Sequence, residues 1–472
     1  MRHSDKISAQ LLFSAFQKAG IEDIIISPGS RNAPLVIESL ARGFSPRVIV
    51  DERVAGFTAL GIAQQTRKPA VLICTSGTAV LNYHPAVAEA FYARIPLIVV
   101  SADRPPYRID KGEGQTIRQD GVLKNHTHLS VTLPFDGETD TISKHILEAI
   151  HTAFIKKGPV HINIPFEEPL YEYRDEVSEI QQSIQTETPV IPVSADMLDM
   201  AEKIWKTAKR KLIIVSQLYP GEMLEKQLER LAAFDDTVIL TENISNVKSE
   251  KFLEHIDRLV FPFDDKTFKP FAPDLVITVG NNIISKKIKF LIRANKPQYG
   301  HWHIGQAAVT PDTFDVLSMH FDTDPQMFLS QLLFRIYDFD PHSTYKPDWK
   351  ALADERKEKH SNFLSNIPFG DFKFYDLLSK TLLPPYQLQW GNSTVVRYAQ
   401  LVPFERGIRH FSNRGTSGID GSLSTAIGAA LRSDEPVLAV TGDLAFHYDG
   451  NAFWQNFPDN LKIIVIIYTL YV

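Results

Sequence analysis

Residues 412–421 read Ser-Asn-Arg-Gly-Thr-Ser-Gly-Ile-Asp-Gly and lead into Ser422–Leu431, a small-residue stretch with helical periodicity. One βα unit later the apolar run Pro436–Val440 ends in Thr441-Gly442-Asp443. A glycine-bearing loop entering a helix, then a carboxylate at the C-terminal edge of a buried strand, is the layout of a ligand site on an open α/β sheet. Glycine lets the backbone approach, and an aspartate there suits a hard cation carrying a diphosphate. Asp443, with Gly442 beside it, is the candidate metal ligand. Arg414 and Ile419 stand out in a loop too rich in small residues to be plain connection.

The surrounding chain has the same alternation. The charged helix Ala351–His360 opens the C-terminal block, followed by strand Gln387–Trp390, helix Ser393–Leu401, strand Arg409–Phe411 and, at the end, the apolar run Leu461–Ile467. Near the N-terminus, β-type runs at Asp23–Ser27, Arg47–Val50, Ala70–Thr75, Pro96–Ser101 and Pro159–Pro165 are separated by helical patterns such as Ile7–Ala19 and Val54–Gln65. A middle block has strand-like runs at Lys211–Val215, Thr237–Leu240 and Asp274–Val279, and Gln182–Val193 is the best linker. The pattern predicts three consecutive α/β domains with mostly parallel sheets, over residues 1–180, 190–345 and 350–472.

Composition narrows the function. The 472 residues are 44% hydrophobic, and 50 Lys and Arg against 56 Asp and Glu give a net charge of −6. That balance carries no footprint for nucleic acid or an anionic membrane, so a local cluster of cations is informative. Cys74 is the single cysteine, which rules out an internal disulfide and a Cys-based metal site; within Val71–Cys74 it reads as a small buried hydrophobe. The first residues lead into a helix rather than a signal peptide, and no run approaches the roughly 18 apolar residues of a membrane span. Cytoplasm is the expected compartment.

Several further motifs sit at predicted strand ends. Asp51-Glu52-Arg53 follows a strand, where Asp51 can cap the next helix and Glu52 can complement its dipole. Alternatively Glu52, desolvated at the mouth of a sheet, has a raised pKa and exchanges a proton with a heterocycle. Ser30 and Arg31 in Ser27–Arg31, and Thr75 and Ser76 in Thr75–Thr78, occupy the equivalent edge. Arg104 in Ala102–Pro105 and Gln115 in Gly112–Gln115 suit an anion with further hydrogen-bonding groups. Ser393 and Arg397 share a helix face, and Lys286 and Lys287 begin another helix.

Taken in order, SPGSRNAPL (27–35), DER (51–53), TSGTAV (75–80), ADRP (102–105), GNS (391–393) with Arg397, NRGTSGIDG (413–421) and Gly442-Asp443-Leu444 resemble the thiamine-diphosphate enzymes of the pyruvate-oxidase type. More narrowly they resemble the 2-succinyl-5-enolpyruvyl-6-hydroxy-3-cyclohexene-1-carboxylate (SEPHCHC) synthases of menaquinone biosynthesis. The resemblance covers essentially the whole chain. It implies pyrimidine-binding, central and diphosphate-binding domains in that order, thiamine diphosphate with Mg2+ or Mn2+, and a homodimer or tetramer with the cofactor between subunits. It implies a transferase that decarboxylates 2-oxoglutarate and adds the succinyl carbanion equivalent to isochorismate.

On this resemblance Glu52 bonds the aminopyrimidine and relays the proton, Ile419 props the cofactor, and Asp443 binds the metal. Thr75, Ser76, Gly418 and Gly442 lie against the cofactor; Arg414 touches cofactor and substrate. Ser30, Arg31, Arg104, Gln115, Lys286, Lys287, Ser393 and Arg397 line the substrate site, with Lys287 standing where some members have arginine. The resemblance also implies an Asn-Asn-Gly segment after the last strand; here Tyr468–Val472 follows instead. The expectation is therefore a C-terminally truncated chain with an incomplete third domain. The rival functions are a catalytically inactive remnant, or another thiamine-diphosphate 2-oxo acid decarboxylase or acetolactate-type synthase.

Overall fold

A computed structural model describes residues 2–187, 192–219 and 221–467. The centre of the expected linker and the terminal Tyr468–Val472 segment lie outside those residues. The chain forms two compact units, one of residues 1–189 with 415–465, the other centred on residues 190–414.

The first unit is built on a six-stranded sheet: β1 (Ile24–Ile26), β2 (Arg47–Val48), β3 (Ala70–Cys74), β4 (Leu97–Asp103), β5 (Leu129–Thr132) and β6 (Val160–Pro165). The strand order is β2-β1-β3-β4-β6-β5, and every pairing is parallel. Strands β3, β4 and β6 are buried at every position, which explains their near-continuous apolar sequences. Helices Ile7–Lys18 and Thr139–Lys156 cover one face, and helices Glu52–Thr66 and His84–Ala93 the other. Cys74 lies in the second of these cores, as the sequence predicts. The helix after β1 packs on one face and those after β3 on the other. The crevice beyond Ile26 and Cys74 is therefore a topological switch point, where open α/β sheets bind ligands.

The second unit repeats the plan with β7 (Lys211–Val215), β8 (Thr237–Thr241), β9 (Leu253–Glu254), β10 (Leu275–Val279), β11 (His301–Ile304) and β12 (Leu317–Phe321). Its order is β9-β8-β7-β10-β11-β12, again all parallel, with the switch between β7 and β10. Within the same unit Gln387–Trp390 pairs in parallel with Arg409–Ser412. In the first unit Val437–Gly442 lies beside Leu461–Ile466. The fold class is thus α/β with mostly parallel sheets.

Two elements differ from their sequence reading. The charged helix runs Tyr345–Asn366 rather than Ala351–His360. Its start is set by Tyr345, Trp349 and Leu352, buried on the second unit's core with the Trp349 ring 5.4 Å from that of Phe271. Ser393 precedes helix Thr394–Ala399 with φ at +67° and makes no side-chain cap bond. Among the described residues no helix is long and apolar enough to cross a membrane.

Candidate active site

The switch point of the first sheet holds a cleft of ≈ 450 Å³ whose walls include Pro28, Glu52, Thr75, Ser76, Gly77 and Gln115. Four strand-end loops build it. After β1, the Ser27 N–H continues the ladder to the Ile73 carbonyl (2.9 Å). The chain then turns at Pro28-Gly29, where a Cβ on Gly29 would stand 2.3 Å from that of Thr75. Only glycine lets the two loops touch. The Arg31 N–H donates to Thr75 Oγ1 (3.3 Å), and its buried guanidinium donates to the Phe166 carbonyl (3.2 Å) and to Glu168 (2.8 Å). Ser30 beside it is exposed.

The third and fourth loops are tied by side chains. Ser76 Oγ donates to the Gln115 carbonyl (2.9 Å), and the Gly77 N–H to Gln119 Oε1 (2.7 Å). Arg104 donates through Nε and Nη2 to the Gly114 carbonyl (3.1 and 2.9 Å). Its visible work here is thus to hold the loop that brings Gln115 to the cleft. A buried network lies beneath: Gln119 Nε2 donates to Asn163 Oδ1 (2.9 Å), and Asn163 Nδ2 to Asp103 Oδ2 (2.8 Å). The polar residues His161 and Asn163 inside the apolar strand Val160–Pro165 are the sequence signal for that network, one the motif reading passed over.

Glu52 is the first residue of its helix. Asp51 caps it, with Oδ1 accepting from the N–H groups of Arg53 (2.9 Å) and Val54 (3.1 Å), while Oδ2 accepts from Asn451 (2.6 Å). Asp51 thus serves the helix, and Glu52 lines the cleft. Burial raises the Glu52 pKa, the adjacent Asp51 charge adds to the rise, and a backbone N–H opposes it. Tyr83 is buried and hydrogen-bonded to Ser27 Oγ (3.2 Å) and the Ile73 carbonyl (3.1 Å). A half-buried acid with a raised pKa is suited to carrying a proton.

Residues 415–443 share this unit with Glu52. The helix Glu52–Thr66 crosses helix Ser422–Ala430 through glycines: a Cβ on Gly61 would stand 2.0 Å from the Thr425 carbonyl, and one on Gly428 2.0 Å from that of Thr58. Buried Glu89 holds the entering loop, accepting from the N–H groups of Gly415 and Thr416 (both 2.6 Å) and from Thr416 Oγ1 (2.8 Å). Gly418 and Ile419 follow, both half-buried. Asp443 opens helix Asp443–Tyr448, and its Oδ1 accepts from the Leu444 N–H (2.9 Å). Gly418, Ile419, Gly442 and Asp443 do not line the Glu52 cleft. Among the described residues no cluster of three His, Cys, Asp or Glu side chains could hold a metal.

In the second unit Arg414 Nη1 donates to Asn392 Oδ1 (2.9 Å), and the Arg414 carbonyl accepts from Asn282 Nδ2 (2.8 Å). Those bonds bring the 391–393, 412–414 and 281–287 loops together. Lys286 and Lys287 open the helix capped by Ser285, whose Oγ accepts from the Ile288 N–H (3.2 Å). The Lys287 ammonium lies 5.9 Å from the Phe261 ring and 5.8 Å from that of Phe290. Arg397 and Ser393 are exposed; burial raises the Asp257 pKa, and the Ser285 hydrogen bond and the Arg397 charge oppose part of the rise.

Comparison with known proteins bears on this geometry. The N-terminal TPP binding domain of thiamine pyrophosphate enzymes matches residues 8–123, and their C-terminal TPP binding domain matches residues 390–469. A SEPHCHC synthase of Flavobacterium psychrophilum is 45% identical over 460 residues, covering 97% of this chain and 82% of its own. One from Flavobacterium johnsoniae is 46% identical with the same shares. One from Porphyromonas gingivalis is 35% identical over 98% of this chain and 82% of its own. The chain belongs to the SEPHCHC synthase family. It is a thiamine-diphosphate enzyme of that family, and the Glu52 cleft lies within the part matched by the N-terminal TPP binding domain.

Proposed function

We propose that the chain decarboxylates 2-oxoglutarate and adds the succinyl carbanion equivalent to isochorismate in a 1,4-addition, giving SEPHCHC for menaquinone synthesis. The observation that carries this is Glu52, held with a raised pKa at the switch-point cleft. The donor set fits the aminopyrimidine end of thiamine diphosphate: a carboxyl for a ring nitrogen, with the small side chains Thr75 and Ser76 leaving room for a flat ring. When bound, the cofactor supplies the electron sink for loss of CO₂ from a 2-oxo acid. Glu52 would hold and return a proton at the ring nitrogen. Asp443 would provide one ligand to Mg2+ or Mn2+, with Arg414, Gly418, Ile419 and Gly442 placed along the diphosphate and thiazolium.

Both substrates are dianions, and an acidic protein must gather its cations locally to hold them. Arg31, Arg104, Lys286, Lys287, Arg397 and Arg414 are assigned that task, with Ser30, Gln115 and Ser393 as hydrogen-bonding partners. The three-domain division at 1–180, 190–345 and 350–472, a homodimer or tetramer with the cofactor between subunits, and a cytoplasmic location complete the proposal. The test is CO₂ release by the full chain loaded with thiamine diphosphate and Mg2+. Release from 2-oxoglutarate that rises with isochorismate, with pyruvate at least about 100-fold poorer in kcat/KM, is the expected result. A preference for pyruvate, or cofactor binding without turnover, would overturn it.

A further inference from the structure

The switch point of the second sheet has its own buried acid. Glu242 follows β8 directly and is fully buried. Its carboxylate accepts from the Ile284 N–H through both oxygens (2.8 and 3.0 Å), from the Ser285 N–H (2.9 Å) and from Ser216 Oγ (2.6 Å). Ser216 follows β7, and its hydroxyl also lies 2.8 Å from the Asn282 carbonyl. One side chain thus fastens the ends of β7 and β8 to the 282–285 loop.

That loop decides where two cations stand. Ile284 and Ser285 immediately precede Lys286 and Lys287, and Ser285 caps the helix they begin. Asn282, in the same loop, holds the Arg414 carbonyl. The carboxylate also interacts electrostatically with Arg414 and with Lys289, one turn further along the helix. Burial raises its pKa, and the hydrogen bonds together with Arg414 oppose part of that rise. Burying an acid carries a desolvation cost even when donors and cations surround it.

We propose that Glu242 is a positioning residue for substrate binding: it fixes the backbone ahead of Lys286 and Lys287 and supplies the negative charge against which Arg414 and Lys289 are gathered. It touches no reacting atom in this role. The inference rests on the reading of Lys286 and Arg414 as substrate cations.

Glu242→Gln and Glu242→Ala, made in the full chain, separate geometry from charge. Glutamine keeps an acceptor for Ile284 and Ser285, and its amide can donate to Ser216 while that hydroxyl turns to Asn282. The expected result is a graded rise in KM for 2-oxoglutarate, several-fold for Gln and at least about tenfold for Ala, with kcat lowered less than KM is raised. Thiamine diphosphate affinity, titrated by fluorescence, should change less than the KM for 2-oxoglutarate, because Lys286 and Lys287 are assigned to the substrate alone and Glu242 does not line the Glu52 cleft. Amide exchange at Ile284 and Ser285 should rise sharply in the alanine variant and little in the glutamine one. Unchanged KM in both variants would overturn the proposal, as would a loss confined to kcat or to the fraction of folded protein. If wild-type enzyme itself shows no turnover of 2-oxoglutarate, the substrate assignment has failed. Unchanged exchange at Ile284 and Ser285 in the alanine variant would then separately overturn the positioning role.

Discussion

Asp449 shows what an acid costs when packing closes over it. It is wholly buried, accepts from the Ser424 N–H (2.7 Å) and Ser424 Oγ (2.6 Å), and burial pushes its pKa up to about 6 from 3.8. A folded-state pKa above the unfolded one means stability that is present below about pH 4 and lost as pH rises through 6. Asp449→Asn removes that titration. Its stability relative to wild type should improve by up to about 3 kcal/mol between pH 4 and pH 7, read by denaturation at both values. A difference that stays constant with pH would contradict this account. Glu52 is shifted in the same direction by the same cause, burial. Its place at a strand-end cleft was legible because Asp-Glu-Arg follows a strand, and the cap falls on Asp51. Asp449, Glu89 and Glu242 were not legible: each is buried by partners at least 25 residues distant, which no local pattern records.

At the scale of elements, the position of Glu52 depends on how closely two helices approach. Gly61 and Gly428 leave no room for a Cβ, because the opposing atoms are backbone carbonyls that cannot swing aside. Gly428→Ala should therefore destabilise the first unit by at least about 2 kcal/mol in chemical denaturation, where an exposed Gly→Ala in a helix would stabilise. A neutral or stabilising result would mean the helices do not cross this way. Arg104 makes a second test at this scale, since it holds the 112–115 loop through the Gly114 carbonyl. Arg104→Met should speed amide exchange across residues 112–116 and raise KM for 2-oxoglutarate at least about tenfold, while exchange in Leu97–Asp103 stays slow. Protected loop amides in the variant would contradict it. Continuous apolar runs made the strands easy to place, and Lys211–Val215 and Gln387–Trp390 match residue for residue. The helix Tyr345–Asn366 started earlier than its charged stretch because its aromatic anchors face a distant core. By spacing Ser393 shares a helix face with Arg397, yet it precedes helix Thr394–Ala399.

For the whole molecule, a parallel six-stranded sheet with an acid near its switch point occurs twice, the acid half-buried in the first unit and fully buried in the second. The first acid lines an open cleft and the second is enclosed by donors, a contrast that matches the separate roles proposed for them. Fold class was legible because alternation of strands and helices leaves few ways to cover a sheet. The motif set pointed to the family because it keeps one order along the chain. The grouping of residues 415–465 with the N-terminal part was not legible, because it depends on the glycine crossing and on Glu89 reaching the 415–416 backbone. Glu52 is the proposed proton carrier for thiamine diphosphate, and Glu52→Gln tests that role most directly. Cofactor affinity is first titrated by fluorescence, then CO₂ release from 2-oxoglutarate is followed at saturating cofactor. The account predicts affinity within a few-fold of wild type and turnover lowered at least about 100-fold. A cofactor-saturated Glu52→Gln protein that released CO₂ at the wild-type rate would contradict it.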